Sequence, residues 1–314
     1  NDSLAQTSHL DEVYDFVNYF RKDEFLLAQF EQIYREKNGD YLVIPKVGNQ
    51  KINFGKLDDF EGNPYPEKWR TLNSHKMSAR GGPNMGLHEM ANSYLWKVFG
   101  CPSPSTHWFH FRIVDGVDEA PAGANGQHLG DFFGLMLALE DYDSRFLSSR
   151  GLPDGNIYKL NSYILNGKEV QRSQATDSVT DGSDFYNILN NLRAARNPDW
   201  LNTYVDYPAW YRYHAVVDAV RHYDVQPNTA EHLKNRAWYF RPDAATPMGK
   251  LVTLPWDSDT SWGPNWNGGE DFSYAAAITS NKPDFVRDYR NTVREFRDLV
   301  WQRDQIEPLL DYFQ

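Results

Sequence analysis

The chain of 314 residues holds one cysteine, Cys101, so no disulfide can close within it and no thiolate-rich zinc module can form. No apolar run reaches membrane length, so a spanning helix is not expected. Lys and Arg number 32 against 43 Asp and Glu, a formal charge of -11. No basic stripe interleaved with aromatics offsets that excess, which repels a phosphate backbone, so nucleic acid is not an expected partner. Internal repeats and low-complexity tracts are missing too, which removes solenoid readings. There is no signal peptide, and the start at Asn1 rather than Met reads as a processed or excised segment. The apolar Leu309, Leu310, Tyr312 and Phe313 near the other end lead us to expect a truncation there, because such a stripe usually packs on something.

Aromatic residues are abundant: 10 Trp, 19 Tyr and 18 Phe within a chain that is 40% hydrophobic. That apolar surface can offset the conformational entropy of folding. The length exceeds one ordinary core, so one large bilobal unit or two packed domains is expected. An acidic, soluble protein of this kind can hold divalent cations.

Apolar spacing predicts two helices within residues 10–37, a strand at Tyr41–Ile44 and a polar stretch over 46–80. Leu87, Met90, Ala91, Tyr94, Leu95, Val98 and Phe99 trace one face of a helix that Gly100 stops. Strands are expected at His107–Val114, Asp131–Leu139 and Asn156–Leu160. The second half reads as mainly helical, with helices around Phe185–Leu192, over Ala209–His222 and from Asp284 to about Trp301. It is interrupted by a hairpin of Trp238–Arg241 and Leu251–Trp256 around a Pro242–Asp243 turn.

The most informative stretch is Leu254-Pro255-Trp256-Asp257-Ser258-Asp259. A buried strand ending in two carboxylates at i, i+2 can aim both at one hard cation and leave room for substrate phosphate. An Asp-rich turn at a strand end is the plainer reading of the same residues. Asp224 closes a helical run and Asn235 precedes the hairpin, so helix, irregular loop and hairpin ending at Asp257 come in succession. Protein kinases arrange a catalytic Asp, a metal-binding Asn and a second metal-binding Asp in that order. Taken singly, Asp224 reads as a polar helix end and Asn235 as a turn former. Gly81–Gly86 before the Leu87 helix suits either a phosphate cradle or a simple turn. His214, Asp218 and His222 at i, i+4, i+8 read mostly as polar surface.

From Cys101-Pro102-Ser103-Pro104, through Gly130–Glu140 and Gly155-Asn156-Ile157-Tyr158-Lys159, to Pro255-Trp256-Asp257-Ser258-Asp259, the chain resembles the CotH family of atypical protein kinases. The resemblance spans about residues 72–310. Gly155–Lys159 is similar to the family's Gly-Asn-Leu-Tyr-Lys, and Pro255–Asp259 to its Pro-Trp-Asp-Leu-Asp. Where family members carry Asn-Trp-Asp this chain has His222-Tyr223-Asp224, and a basic, Gly-containing segment to cover ATP phosphates is not evident before residue 72.

The resemblance implies an α+β, bilobal, atypical protein-kinase-like fold. Residues 1–71 would form an N-terminal extension, 72–163 a small β-containing N-lobe, and 164–314 a mainly helical C-lobe with the metal site. It implies Asp224 as catalytic Asp, Asp257 as principal metal ligand with Asn235 and Asp259 in support, Glu140 ordering the nucleotide site and Lys159 near the phosphates. Glu140 could equally be an exposed start to the acidic run before the next helix. The expected cofactors are ATP with Mg²⁺ or Mn²⁺, or Ca²⁺. The expected partner is a protein bearing an acceptor Ser or Thr, met on the secretory route or at the cell surface. The alternative is a catalytically weak or inactive surface binding protein that recognises a glycan or protein through the Trp262–Trp266 loop.

Overall fold

The computed structural model describes residues 50–53, 71–76, 84–112, 132–160, 170–174, 179–194, 198–222, 225, 235–262 and 282–313. The helices expected within 10–37, the strand at Tyr41–Ile44, Gly81–Pro83 and Asp224 lie outside these residues.

Helices and strands are mixed, and the chain divides into two compact units. The first comprises residues 1–52, 73–84 and 107–138. Most of a four-stranded sheet belongs to it, in the order β1 (Gln50–Asn53), β2 (Thr71–Lys76), β4 (Phe132–Glu140), β3 (Thr106–Arg112), while residues 53, 71–72, 106 and 139–140 at the strand ends belong to the second unit. Two of these strands fall in the stretch over 46–80 whose polarity hides any periodicity.

The second unit holds the other described elements. Helix α1 spans Asn84–Val98 and α2 spans Ser144–Ser149, followed by strands β5 (Asn156–Leu160) and β6 (Val170–Gln174). Helices α3 (Ser183–Ala194), α4 (Pro198–Tyr204) and α5 (Tyr207–Ala219) lead to the hairpin β7 (Arg236–Asp243) and β8 (Thr246–Pro255). Helices α6 (Pro283–Leu299) and α7 (Arg303–Phe313) follow. The sheet order is β6-β5-β7-β8, and each neighbouring pair of strands runs antiparallel. The expected division at 163/164 therefore runs between two hydrogen-bonded neighbours, β5 and β6.

Both faces of this sheet are covered, as period-two alternation requires. Tyr158, Trp238, Phe240 and Leu251 face a large cluster with Leu95, Trp96, Phe185, Ile188 and the buried residues of α5. Ile157, Ala237, Tyr239, Val252 and Leu254 face a smaller one with Tyr142, Phe146 and Leu147. Each large apolar side chain among them contributes about 1.5–3 kcal/mol on burial. The hairpin turns at Ala244–Ala245 rather than at Pro242–Asp243, and the ladder runs on to the pair Asp243–Thr246. Pro242 is tolerated there because the register shifts between Arg241 and Asp243, where a missing N–H costs least.

Two helix ends place site residues. Helix α1 stops at Gly100, with φ +80, as its N–H bonds Lys97 O and the Cys101 N–H bonds Trp96 O at 2.8 Å. Helix α5 ends in the same double-bonded motif, but Arg221, not glycine, takes the left-handed position at φ +55. Its bonds are Arg221 N–H to Asp218 O and His222 N–H to Val217 O.

Candidate functional site

The open end of the β5–β7–β8 sheet gathers most of the expected site. Register pairs Arg236 with Pro255 and Lys159 with Ala237. Asn235 and Trp256 are thus the next residues beyond the last pair, and Asp257 follows. Both Asn235 (φ +63) and Asp257 (φ +54) are left-handed. Short polar side chains accept that conformation where β-branched ones do not. Two such residues leaving one ladder end mark a strained corner, a feature that concentrates at functional sites. Asn235 is buried, whereas Asp257 and Asp259 are half-buried.

Lys159 projects from β5 into this corner. Its Nζ lies 2.6 Å from Asp141 Oδ1 and 3.8 Å from the centroid of the Trp256 ring. The lysine side chain is 11% exposed and the aspartate 1%, so the pair is nearly dry. Asp141 Oδ1 also accepts the Tyr142 N–H at 2.9 Å. Tyr142 donates its hydroxyl to Pro255 O and packs its ring 5.5 Å from Trp256. Burial among these groups pushes the Tyr142 phenol well above its ordinary range, so it acts as a donor at every working pH. An ammonium whose position is fixed by a carboxylate is chemically suited to meeting phosphate oxygens.

Glu140, the last residue of β4, is buried rather than an exposed start to the acidic run. Arg150 grips it with both terminal guanidinium nitrogens, Nη1 donating to Oε1 at 3.0 Å and Nη2 to Oε2 at 2.5 Å. The Ser105 N–H adds 3.1 Å to Oε2. Arg150 itself lies over the Phe146 ring at 3.9 Å and bonds Ser103 O at 3.0 Å. This fork ties the end of β4 to α2, which Asp143 caps by accepting from Arg145 and Phe146 N–H. The adjoining Asp141 is thereby set opposite Lys159.

The loop after Asp257 is held from two sides. From α1, the Asn92 amide donates to Ser258 O at 2.9 Å and to Ser261 Oγ at 2.8 Å, and His88 Nδ1 lies 3.4 Å from Asp259 O. From the end of α5, Val220 O accepts the Trp262 N–H at 2.7 Å, and His222 Nδ1 lies 3.4 Å from Thr260 O. Asp224 is outside the described residues. The described residues on either side, His222 and Val225, are buried and linked by a 3.3 Å backbone bond.

Two expectations change. His214 and His222, read as polar surface, are fully buried, while Asp218 between them is exposed. His214 sits against Trp210 and Tyr213, and burial, reinforced by Arg236, drives its pKa well below 6.5. Trp262, which opens the loop expected to offer exposed aromatics, is half-buried with its ring 5.2 Å from Trp301, and residues 263–266 of that loop lie outside the described residues. Its indole N–H goes to Asn92 Oδ1 at 2.7 Å. Among the described residues no group of three or more His, Cys, Asp or Glu is placed to hold a metal ion. Mg²⁺ needs less, since one or two carboxylates plus substrate phosphate and water suffice. The hard oxygens of Asp257, Asp259 and Asn235 fit that donor set.

Sequence reasoning missed Asp141, Trp256 and Asn92. Asp141 stands one residue from the chosen Glu140, and only the direction of the chain after β4 separates their roles. Asn92 had a signal, a lone amide inside an apolar helix. The predicted stripe turned it outward, whereas Tyr94 and Val98 of that stripe are exposed, at 45% and 47%.

The family model described as CotH kinase protein matches residues 87–306, more than two thirds of the chain. A second model, FtsQ/DivIB, C-terminal related, matches residues 2–69. None of the curated proteins matches. Among solved structures, a chain of the HipA, HipB and operator DNA complex of the Shewanella oneidensis MR-1 toxin–antitoxin system is similar at 13% identity and a TM-score of 0.33. That similarity covers 91% of this chain and 68% of the other.

Proposed function

Because this chain belongs to the CotH kinase family, we propose that it is a metal-dependent kinase acting at the open end of the β5–β7–β8 sheet. It transfers the γ-phosphoryl of ATP to a Ser or Thr hydroxyl of a protein on the secretory route or at the cell surface. The observation that carries this reading is the convergence there of a dry Lys159–Asp141 pair with Asp257 and Asn235, both turned left-handed off the same ladder. No helix among the described residues is long and apolar enough to cross a membrane.

Lys159 contacts phosphate oxygens, and Asp141 sets its position. Asp257, with Asn235 and Asp259, holds Mg²⁺ or Mn²⁺, with Ca²⁺ a third ion suited to the same oxygens. A bound ion supplies neutralisation of the charge on the β- and γ-phosphates. Asp224 accepts the proton of the acceptor hydroxyl as its oxygen bonds the γ-phosphorus and the bond to the β–γ bridging oxygen breaks, releasing ADP. Glu140, through Arg150, keeps the end of β4 in place.

The test is phosphotransfer from γ-labelled ATP, with Mg²⁺ or Mn²⁺, to casein and to the chain itself. We expect transfer by the wild type and at least a hundredfold less by Asp257→Asn. Equal transfer by the two proteins refutes the assignment.

A further inference from the structure

We propose that Asn92, far from the nucleotide-binding strands in sequence, is the positioning residue of the Asp257–Asp259 loop. This rests on the reading of that loop as a metal site. Asn92 is fully buried, and both N–H donors and the oxygen of its amide are engaged by the loop. Its nitrogen donates to Ser258 O and Ser261 Oγ, and its oxygen accepts from the Trp262 indole. Ser261 returns a hydroxyl bond to Ser258 O at 2.9 Å and a backbone bond to Asp259 O at 3.1 Å. Asn92 is thus bonded to the residue between the two aspartates and to the residues that close the loop after them.

Trp262 extends the tether. It holds a left-handed φ of +65, an unfavourable conformation for a large side chain. It stays there because the indole N–H is taken by Asn92 and the backbone N–H by Val220 O at the end of α5. One side chain on α1 therefore sets the loop against the helix end that runs on towards Asp224. Groups that orient metal-binding carboxylates in this way contribute strongly to affinity without touching the ion.

The isosteric change Asn92→Asp keeps the volume, removes both donors and puts a carboxylate oxygen against Ser258 O. The control is Asp184→Asn, which disturbs a comparably buried network at the other end of the sheet. There Asp184 accepts from Asn156, Tyr158 and Phe185. Mn²⁺ binding to each purified full chain, read by the loss of the free-ion paramagnetic resonance signal, requires no turnover. For Asn92→Asp we expect Mn²⁺ affinity to fall about tenfold, with Asp184→Asn binding as the wild type does. Wild-type affinity in Asn92→Asp overturns the proposal, and so does an equal loss in both variants, which would report general destabilisation. Wild-type protein that fails to bind Mn²⁺, or binds it no better than Asp257→Asn, overturns the metal-site reading itself and this proposal with it.

Discussion

Replacing Lys159 with Met keeps the aliphatic stem against Trp256 and removes only the ammonium. The pair it leaves is short, at 2.6 Å, and almost dry, with Asp141 1% exposed. At an effective dielectric near 20, charges at that distance attract by about 6 kcal/mol, most of which offsets the desolvation of both groups. Deleting Lys159 removes the ammonium that offsets the desolvation of Asp141, which retains the Tyr142 N–H. The expected loss is about 3–5 kcal/mol. Loss of the ammonium over the Trp256 ring falls within the same figure. Adding Asp141→Asn removes the charge that Lys159 had offset, so the double variant should recover about 2–3 kcal/mol of the summed single losses. Urea unfolding of the four proteins closes the cycle, and a thermal-shift titration with ATP and Mg²⁺ runs beside it. Nucleotide stabilisation should vanish in both Lys159 variants, including the double one whose fold is largely restored. A loss below about 1 kcal/mol for Lys159→Met, or additive singles, would refute a tightly coupled dry pair. Undiminished nucleotide stabilisation in the double variant would refute the phosphate role.

Other outcomes follow from single positions. Asp257→Asn should leave urea stability within about 0.5 kcal/mol, since Asn accepts the left-handed φ of +54, whereas Asp257→Val should cost about 1–2 kcal/mol more because a branched Cβ is disfavoured there. Gly155→Ala should destabilise by about 1–3 kcal/mol in the same assay, as its Cβ would meet Phe240 O at 2.4 Å and the Tyr239 ring at 2.8 Å. Buried His214 is held neutral in the fold, its pKa depressed below the ordinary 6.5, so its contribution is complete above that pH and is lost as the medium becomes more acidic. Urea midpoints between pH 7.5 and 5.5 should therefore show stability falling below pH 6.5, by up to about 1.4 kcal/mol per unit from this one group. His214→Phe should flatten that slope, and an unchanged slope would dismiss His214 as its source.

The hairpin shows how far local chemistry reached. Branched and aromatic runs at Trp238–Arg241 and Leu251–Trp256 were legible as strands because β-propensity and burial agree there, and the structure lengthens both. The turn was misplaced because Pro242, a strong local turn former, sits instead at a register shift that only the paired ladder creates. The helix ending near His222 was legible from its periodicity. Its left-handed cap at Arg221 was not, since no glycine announces it.

By itself the sequence offered part of the candidate site and its order along the chain: Lys159 in a strand that starts at Asn156, Asn235 before a hairpin, and Asp257 and Asp259 after it. Motif chemistry and strand periodicity are local, and they survive in the linear string. Only the tertiary structure decided which acid serves Lys159. It chose Asp141 over Glu140 because Arg150, from the end of α2, occupies Glu140 with both nitrogens. It alone brought Asn92 to the acidic loop, across 166 residues of chain to Ser258. Such pairings depend on how helix α1 packs beside the end of β8, and no local preference encodes that contact.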